Sequence, residues 1–239
     1  MPIVVTDAEE FERLIESLGN DLTVAAVHLR LYEDLRKSVA DYRREFNEAQ
    51  TFWSLTLNAH LQNALHALAR AYDQEPSSLS LRRWLETIEA NLHLFTVESF
   101  RERLRANPFV ASLAEHPRTP DIEQLARDLQ YCSNSNPLVR RLTIIRNNAL
   151  AHRSAHYAAR GQSPWEQFPL PFIDLDELVE GAFRIYNTYN QLFRATTLSP
   201  QMVGHDDYLQ VLKAVQRDLR QLEREWRTQI ESDQSGRVT

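Results

Sequence analysis

The chain has 239 residues, 33 acidic and 27 basic side chains and a formal net charge of −6, a length that allows one large domain or two small ones. Its 43% hydrophobic and 25% charged residues are ordinary for a folded globular protein and exclude a disordered one. Only five residues are glycine, and neither G-x-G-x-x-G nor the P-loop pattern occurs, which excludes the common glycine-rich nucleotide-binding folds.

Composition also indicates the cellular compartment of the protein. The single cysteine, Cys132, cannot form an internal disulfide, which favours a reducing compartment, and we expect a cytoplasmic protein. The N-terminal residues lack the positive segment of a signal peptide, and no apolar run approaches the roughly 18 residues that a membrane span needs. The acidic balance of the whole chain argues against a general nucleic-acid coat protein, which is usually basic.

Apolar residues recur at helical spacing along the first half of the chain, without the alternation typical of strands. Thr6–Glu9 has the pattern of a capping box, and Gly19 is expected to end the helix that follows it. Asn107-Pro108 is expected to break the last helix of this half. The predicted helices lie at residues 6–19, 21–46, 50–72, 80–88 and 96–106.

Prolines mark the helix starts of the second half. Thr119-Pro120 and Asn136-Pro137 each combine an N-cap residue with proline at the first helical position, and Asp174 is expected to cap a later helix. The last helix carries a heptad stripe from Tyr208 to Trp226, which we expect to be buried by ordinary packing rather than exposed as a coiled coil. We predict an all-α bundle that forms one domain over residues 1–230, with a flexible polar tail at 231–239.

The predicted helix from Pro137 to about Ala158 has an unusual charge pattern. No Asp or Glu occurs from Leu129 to Trp165, whereas five arginines do, so this window carries +5 and the rest of the chain −11 (−6 minus +5). Such a patch is typical of a surface that binds phosphate or RNA. The alternative is arginine usage, because 25 of the 27 basic residues are arginine. The five are Arg140, Arg141, Arg146, Arg153 and Arg160.

The apolar stripe of the same helix runs into two histidines. It consists of Leu138, Leu142, Ile145, Ala149, His152 and His156. Either the histidines are partly buried and satisfied by hydrogen bonds, or the core face opens there into a cleft or subunit interface. Two histidines at this spacing could also bind a metal, but Arg153 stands where H-E-x-x-H has its glutamate, and we expect no metal site.

The segment Arg146-Asn-Asn-Ala-Leu-Ala-His152 resembles the signature of the HEPN superfamily, in which an arginine and a polar residue precede a histidine. This spacing is not specific by itself, and the acid-free window around it is what favours the assignment. Leu65–Asp73 and Ser78–Leu85 resemble the upstream helices of the AbiU-type branch, which is linked to abortive phage infection. Gly204–Leu209 is similar to the start of its C-terminal helix.

The resemblance implies a HEPN-like helical bundle with additional N- and C-terminal helices and a metal-independent endoribonuclease without a cofactor. It implies Arg146, His152 and Asn147 as catalytic residues at the cleft of a homodimer. In an ideal helix Arg146 and His152 lie about 120° apart and about 9 Å along the axis, and Asn148, one turn before His152, could orient it. The residues expected to bind RNA phosphates are Asn148, Arg153, Arg141 and His156.

RNA is therefore the expected partner, with an antitoxin or a nucleotidyltransferase as a possible second one and no membrane. The alternative is a non-catalytic helical adaptor that binds a nucleotide, RNA or an antitoxin, or that associates through the heptad stripe. Tyr72, Trp84 and Trp53 could stack on bases, but aromatic residues at helical spacing are more often part of a core.

Overall fold

The structure is a computed structural model, and it describes residues 2–152, 154–201 and 204–235. This part of the chain consists of helices and their connections and contains no strand, which confirms the all-α prediction. A 3₁₀ turn at Leu92–Phe95 follows α4, and a π-helical turn at Arg146–Leu150 follows α8. The helices are α1 (Ala8–Ser38), α2 (Arg43–Glu48), α3 (Gln50–Ala71), α4 (Leu81–Ala90), α5 (Val97–Arg103), α6 (Val110–Leu113), α7 (Ile122–Tyr131), α8 (Pro137–Ile145), α9 (Ala155–Ala159), α10 (Pro164–Gln167), α11 (Phe172–Arg194) and α12 (Tyr208–Ser235).

The chain forms two compact units. The first contains the residues up to Val27 together with Asn63–Gln201, and the second contains His28–Gln62 together with the stretch after Gln201. Helices α1 and α3 therefore contribute to both units. That residues 1–230 form one domain stays a prediction. Helix α12 continues into the predicted tail as far as Ser235, and residues 236–239 lie outside the described part.

Aromatic side chains form the core of the first unit. Phe11 of α1 packs against Phe95 and Phe193, with ring centroids 5.5 Å and 4.9 Å away, and all three rings are buried. Trp84 of α4 stacks on Tyr186 of α11 at 5.7 Å. Burial of one such side chain stabilises a fold by about 1.5–3 kcal/mol. This core holds α1, α4 and α11 together and so provides the frame on which the candidate site is built.

The second unit has its own apolar cluster. Leu35, Phe46, Trp53 and Leu212 are its buried members, so the first turns of α12 are packed. The Ser38 and Tyr208 hydroxyls are hydrogen-bonded at 2.9 Å. Farther along α12, however, Leu222 is 47% and Trp226 is 71% exposed.

The expectation that the whole heptad stripe is buried is therefore wrong for its last two residues, Leu222 and Trp226. Helix α2 packs against α12 but has six residues, whereas α12 has 28 and is about 42 Å long. A helix of two turns covers only a small part of such a stripe.

Gly19 does not end the first helix, because α1 continues through it to Ser38. A Cβ atom at Gly19 would lie 2.6 Å from the hydroxyl oxygen of Tyr186. That hydroxyl donates a hydrogen bond to the Ile15 carbonyl at 3.2 Å. Gly19 thus allows close approach of α11 and is not a helix stop. The predicted second helix is also wrong at its far end, since Phe46 lies in the separate helix α2.

Two helix starts are capped near the predicted position but by a different residue. Helix α1 begins after Asp7, whose carboxylate accepts from the Glu10 N–H at 2.8 Å, and the Glu10 side chain accepts from the Thr6 N–H at 2.7 Å. Helix α7 is capped by Asp121, which accepts from the N–H three residues on at 2.9 Å, and not by Thr119. In both cases an aspartate carboxylate accepts the capping hydrogen bond from a backbone N–H. A carboxylate at a helix N-terminus also interacts favourably with the helix dipole.

Candidate functional site

Helix α8 leads into the Arg/His motif, and its start is as predicted. The Asn136 side chain accepts a hydrogen bond from the Leu138 N–H at 3.0 Å, with proline in the first turn. Val139, Leu142 and Ile145 are buried, so one face of the helix belongs to the core of the first unit. The motif arginine directly follows the last of these buried residues, and its position is therefore determined by core packing.

The backbone changes at Arg146 from an α-helix to a π-helical turn that ends at Leu150. The Ala151 N–H donates to the Arg146 carbonyl at 2.8 Å, which closes this wide turn. Such turns are rare and are frequently found at functional sites. The prediction of one continuous helix from 137 to about 158 is wrong, because His152 lies in the irregular segment between this turn and α9. Arg153 lies outside the described residues.

Arg146 is held by two side chains. Its Nη2 donates to Asp73 Oδ2 and its Nη1 donates to Asn147 Oδ1, both at 2.9 Å. The Asp73 side chain is only 9% exposed, whereas that of Arg146 is 35% exposed. The other oxygen of Asp73 accepts from the Glu75 N–H at 3.1 Å, so the carboxylate is itself fixed. The guanidinium is therefore oriented by buried structure and still reaches the surface.

His152 and His156 are both exposed, and the interpretation of them as partly buried core histidines is wrong. Within the described residues, no hydrogen bond or ion pair involves the His152 side chain. Asn148 does not orient it, since the Asn148 amide donates to the Ile144 carbonyl at 2.9 Å. The physical reason is the π-helical turn, which removes the i, i+4 relation that a regular helix would impose.

Two other residues predicted to bind phosphate, Arg141 and His156, already interact with side chains of the protein. Arg141 lies 2.7 Å from the Asp174 carboxylate and donates to the Pro169 carbonyl at 2.9 Å. Asp174 thus binds this arginine instead of capping α11, which begins two residues earlier. Since Asp73 and Asp174 neutralise two of the five arginines, the window is acid-free in sequence but not in space. His156 Nε2 lies 2.7 Å from Arg160 Nη1 at the surface.

Sequence reasoning missed Asp73 and an aromatic cavity. Asp73 is the last residue of the Leu65–Asp73 segment, which resembles the AbiU-type branch. This resemblance was the one sequence feature that pointed to Asp73 as a functional residue. A cavity of about 390 Å³ next to the motif is lined in part by Tyr157 and Trp165, the latter at the edge of the acid-free window. Tyr72, Trp84 and Trp53 are buried, as expected of core residues. No three metal-ligating side chains of the described residues lie close enough together to hold an ion.

The described helices thus place an oriented arginine at the start of a π-helical turn and an exposed histidine after it, in the order of the HEPN signature. The AbiU2 family of HEPN domains matches residues 8–215, and the protein belongs to this family. The match contains Asp73, Arg146 and His152, includes residues of both compact units, and ends in the first turns of α12. Searches of curated proteins and of solved structures return no significant match. No helix of the described part is long and apolar enough to cross a membrane.

Proposed function

We propose that this protein is a metal-independent endoribonuclease of HEPN type that acts in phage defence or in a toxin–antitoxin system. It acts as a homodimer in which the Arg146/His152 motifs of two copies line one cleft. The observation that carries the proposal is the clamp on Arg146, whose guanidinium is bound by Asp73 and Asn147 at 2.9 Å each.

The chemistry suits these two residues. A neutral His152 imidazole takes the proton of the ribose 2′-hydroxyl, and the 2′-oxygen attacks the adjacent phosphorus. The bond from phosphorus to the 5′-oxygen breaks, and an imidazolium returns a proton to that oxygen. The products are a 2′,3′-cyclic phosphate and a 5′-hydroxyl. Arg146 stabilises the negative charge that builds up on the phosphate oxygens.

The clamp leaves Arg146 able to perform this role. A guanidinium has five N–H groups, and two of them are used by Asp73 and Asn147. The remaining three can bind phosphate oxygens. Because the fork is already oriented, little freedom is lost when RNA binds, which favours the transition state. We assign Asn147 as a positioning residue that aligns Nη1 of the arginine.

The exposed position of His152 supports the homodimer. A catalytic histidine needs a partner that selects its tautomer and holds its ring, and within the described residues no hydrogen bond or ion pair reaches this exposed side chain. A second copy would supply that partner and the second imidazole. Asn148, Arg141, His156 and Arg153 would then bind the RNA strand on either side of the cleft, with Arg141 weakened by its pairing with Asp174.

The test is RNA cleavage by the full chain in EDTA, with the ends of the products analysed for cyclic phosphate. We expect His152→Ala and Arg146→Ala each to abolish cleavage without loss of helicity. His66→Ala and Arg101→Ala are matched controls, because both residues are exposed on helices of the same unit and lie outside the acid-free window, and they should cut at the wild-type rate. Wild-type cleavage by the two motif variants, or its loss in EDTA, would contradict the proposal.

One observation favours a second candidate function. The lack of an orienting contact to His152 is also what a non-catalytic binding protein would show, with RNA, a nucleotide or an antitoxin as its ligand. In that case the wild-type protein binds or protects RNA in the same assay and produces no cyclic phosphate ends. Co-purification with the product of a neighbouring gene then tests for an antitoxin or a nucleotidyltransferase partner.

A further inference from the structure

The cavity beside the motif is built from three neighbouring segments of the first unit. Asn148 comes from the π-helical turn and Tyr157 from α9, whereas Gln162 and Ser163 precede α10 and Trp165 lies in its first turn. Its volume of about 390 Å³ is at the small end of the range of roughly 300–1,000 Å³ typical of small-molecule sites. Asn148 lies in sequence between Arg146 and His152. One residue of the Arg/His motif segment therefore lines the cavity.

The walls of this cavity offer aromatic surface. Tyr157 and Trp165 are both half-buried and lie on different segments. Half-buried aromatic rings in a cavity are suited to stacking on a flat ligand, and unpaired nucleobases are recognised by proteins in this way.

Two side-chain amides add fixed polar groups. The Asn148 Nδ2 donates to the Ile144 carbonyl, which leaves its Oδ1 as an acceptor for a ligand. The Gln162 Oε1 accepts from Gln167 Nε2 at 3.2 Å, which leaves its own Nε2 as a donor. One donor and one acceptor at a cavity wall match the edge of a nucleobase, which presents both kinds of group.

The charges around the cavity favour a nucleic-acid ligand. None of its described lining residues is acidic or basic, as suits an uncharged base. The His156 and Arg160 pair lies next to Tyr157 and is exposed, which suits the phosphate that follows such a base.

We propose that this cavity binds one unpaired RNA base next to the phosphate that is cleaved, and that it gives the enzyme a base preference at that position. This inference rests on the proposed ribonuclease function. Tyr157 and Trp165 stack on the base, and the amides of Asn148 and Gln162 read its edge.

The test uses the full chain with His152→Ala, which is expected to bind RNA without cutting it. Single-stranded oligoribonucleotides that contain 2-aminopurine at successive positions are titrated, and the four ribonucleoside monophosphates are titrated separately by tryptophan fluorescence. We expect Trp165→Leu to weaken binding about tenfold, as loss of one base stack does, and to abolish the fluorescence change. Trp226→Leu is the matched control, since this exposed tryptophan lies on α12, and it should bind like the parent.

Gln162→Ala provides a second test if Trp165→Leu does not fold. The Gln162 side chain is exposed, so we expect its removal to leave folding intact. In the otherwise wild-type protein this variant should cut RNA with a changed base preference at the cleavage site. Unchanged binding by Trp165→Leu together with unchanged base preference of Gln162→Ala overturns the inference while leaving the ribonuclease function in place. If instead nucleotides bind through Trp165 but RNA is never cut, the ribonuclease proposal fails and the base-binding cavity stands.

Discussion

The carboxylate of Asp73 lies 2.9 Å from Nη2 of Arg146 and joins two segments that are 73 positions apart in the chain. Asp73 follows the C-terminal end of α3, where the Tyr72 hydroxyl donates to the Leu178 carbonyl of α11 at 2.8 Å. The motif arginine is therefore tied through α3 to the core. This contact gives the Leu65–Asp73 segment a structural role: the segment resembles the upstream helix of the AbiU-type branch, and its last residue binds the motif arginine.

Replacement of Asp73 by asparagine should reduce RNA cleavage by about 10- to 100-fold, since loss of a positioning contact has effects of this size. Asparagine can still accept from the Glu75 N–H through Oδ1, so the loop should keep its structure. The measurement is the single-turnover cleavage rate in EDTA. Asp21→Asn, which removes the 2.6 Å surface pair with Arg70, is the control and should not change the rate. Equal rates for the Asp73 and Asp21 variants would show that the clamp has no catalytic role.

Gly19→Ala should lower the free energy of unfolding by about 1–3 kcal/mol, because a Cβ atom there overpacks the contact with Tyr186. The clash is closest to the hydroxyl oxygen, at 2.6 Å, so Tyr186→Phe should relieve much of it. In a double-mutant cycle by urea denaturation, we therefore expect Gly19→Ala to cost less in the Tyr186→Phe variant than in the wild type. If the effects of the two substitutions on the free energy of unfolding are additive, close approach of the Tyr186 hydroxyl does not explain why residue 19 is glycine.

The stability of the protein should fall as the pH drops below about 6.5. His28 and His60 lie with their Nδ1 atoms 2.8 Å apart in the second unit, and burial lowers the pKa of both below their usual value of 6.5, with His28 lowering the pKa of His60 further. The unfolded chain consequently binds more protons in this range, which favours unfolding. Urea midpoints measured between pH 7.5 and 5.5 should fall less for His60→Gln than for the wild type.

His66→Gln is the control for this pH dependence, because His66 is an exposed histidine of the same helix. It should keep the wild-type slope of stability against pH. A His60→Gln variant with the full wild-type slope would rule out the half-buried pair of His28 and His60 as the source of the pH dependence.

Cys132 should not react with thiol reagents in the native protein. Its side chain is fully buried, and this burial raises the pKa of the thiol far above its usual value, so almost no thiolate forms near neutral pH. Labelling by an aromatic disulfide reagent at pH 8 should follow the rate of unfolding and become fast in urea. Rapid labelling of the folded protein would indicate that this part of the first unit opens readily.

Deletion of residues 224–239 should leave the thermal stability unchanged, whereas deletion of residues 206–239 should lower it. The longer deletion removes Tyr208 and Leu212 from the apolar cluster of the second unit, while the shorter one removes exposed turns and keeps the Arg44–Glu223 pair at 2.7 Å. Since the proposed dimer forms at the motif cleft, the shorter variant should also keep its size in solution. A shift of that variant to a monomer would assign dimerisation to the deleted part of the exposed stripe, which contains Trp226.

Local sequence patterns predicted the features that depend on neighbouring residues. Asn136-Pro137 is a helix start as predicted. The helix predicted at 50–72 is α3, and its apolar residues Trp53, Leu65 and Leu68 are buried. A cap and a helix face involve only residues within a few positions, which is why local patterns predict them. The prediction of a helix end at Gly19 is wrong because glycine is common both at helix ends and at close contacts. Only the position of Tyr186, 167 residues later, decides between the two.

The sequence by itself determined an all-α chain, membership of a HEPN family and an arginine and a histidine in one acid-free window. The all-α class and the acid-free window follow from composition and short-range spacing, and the family follows from its resemblance to this chain and from the family match. None of these needs knowledge of distant contacts. Tertiary structure decided the rest of the candidate site. It brings Asp73 to Arg146 and Asp174 to Arg141, so the window is less positive in space than in sequence. It also replaces the expected helix by a π-helical turn, in which the Ala151 N–H donates to the Arg146 carbonyl five residues earlier, and His152 lies exposed after it, because spacing alone does not distinguish this turn from a regular helix.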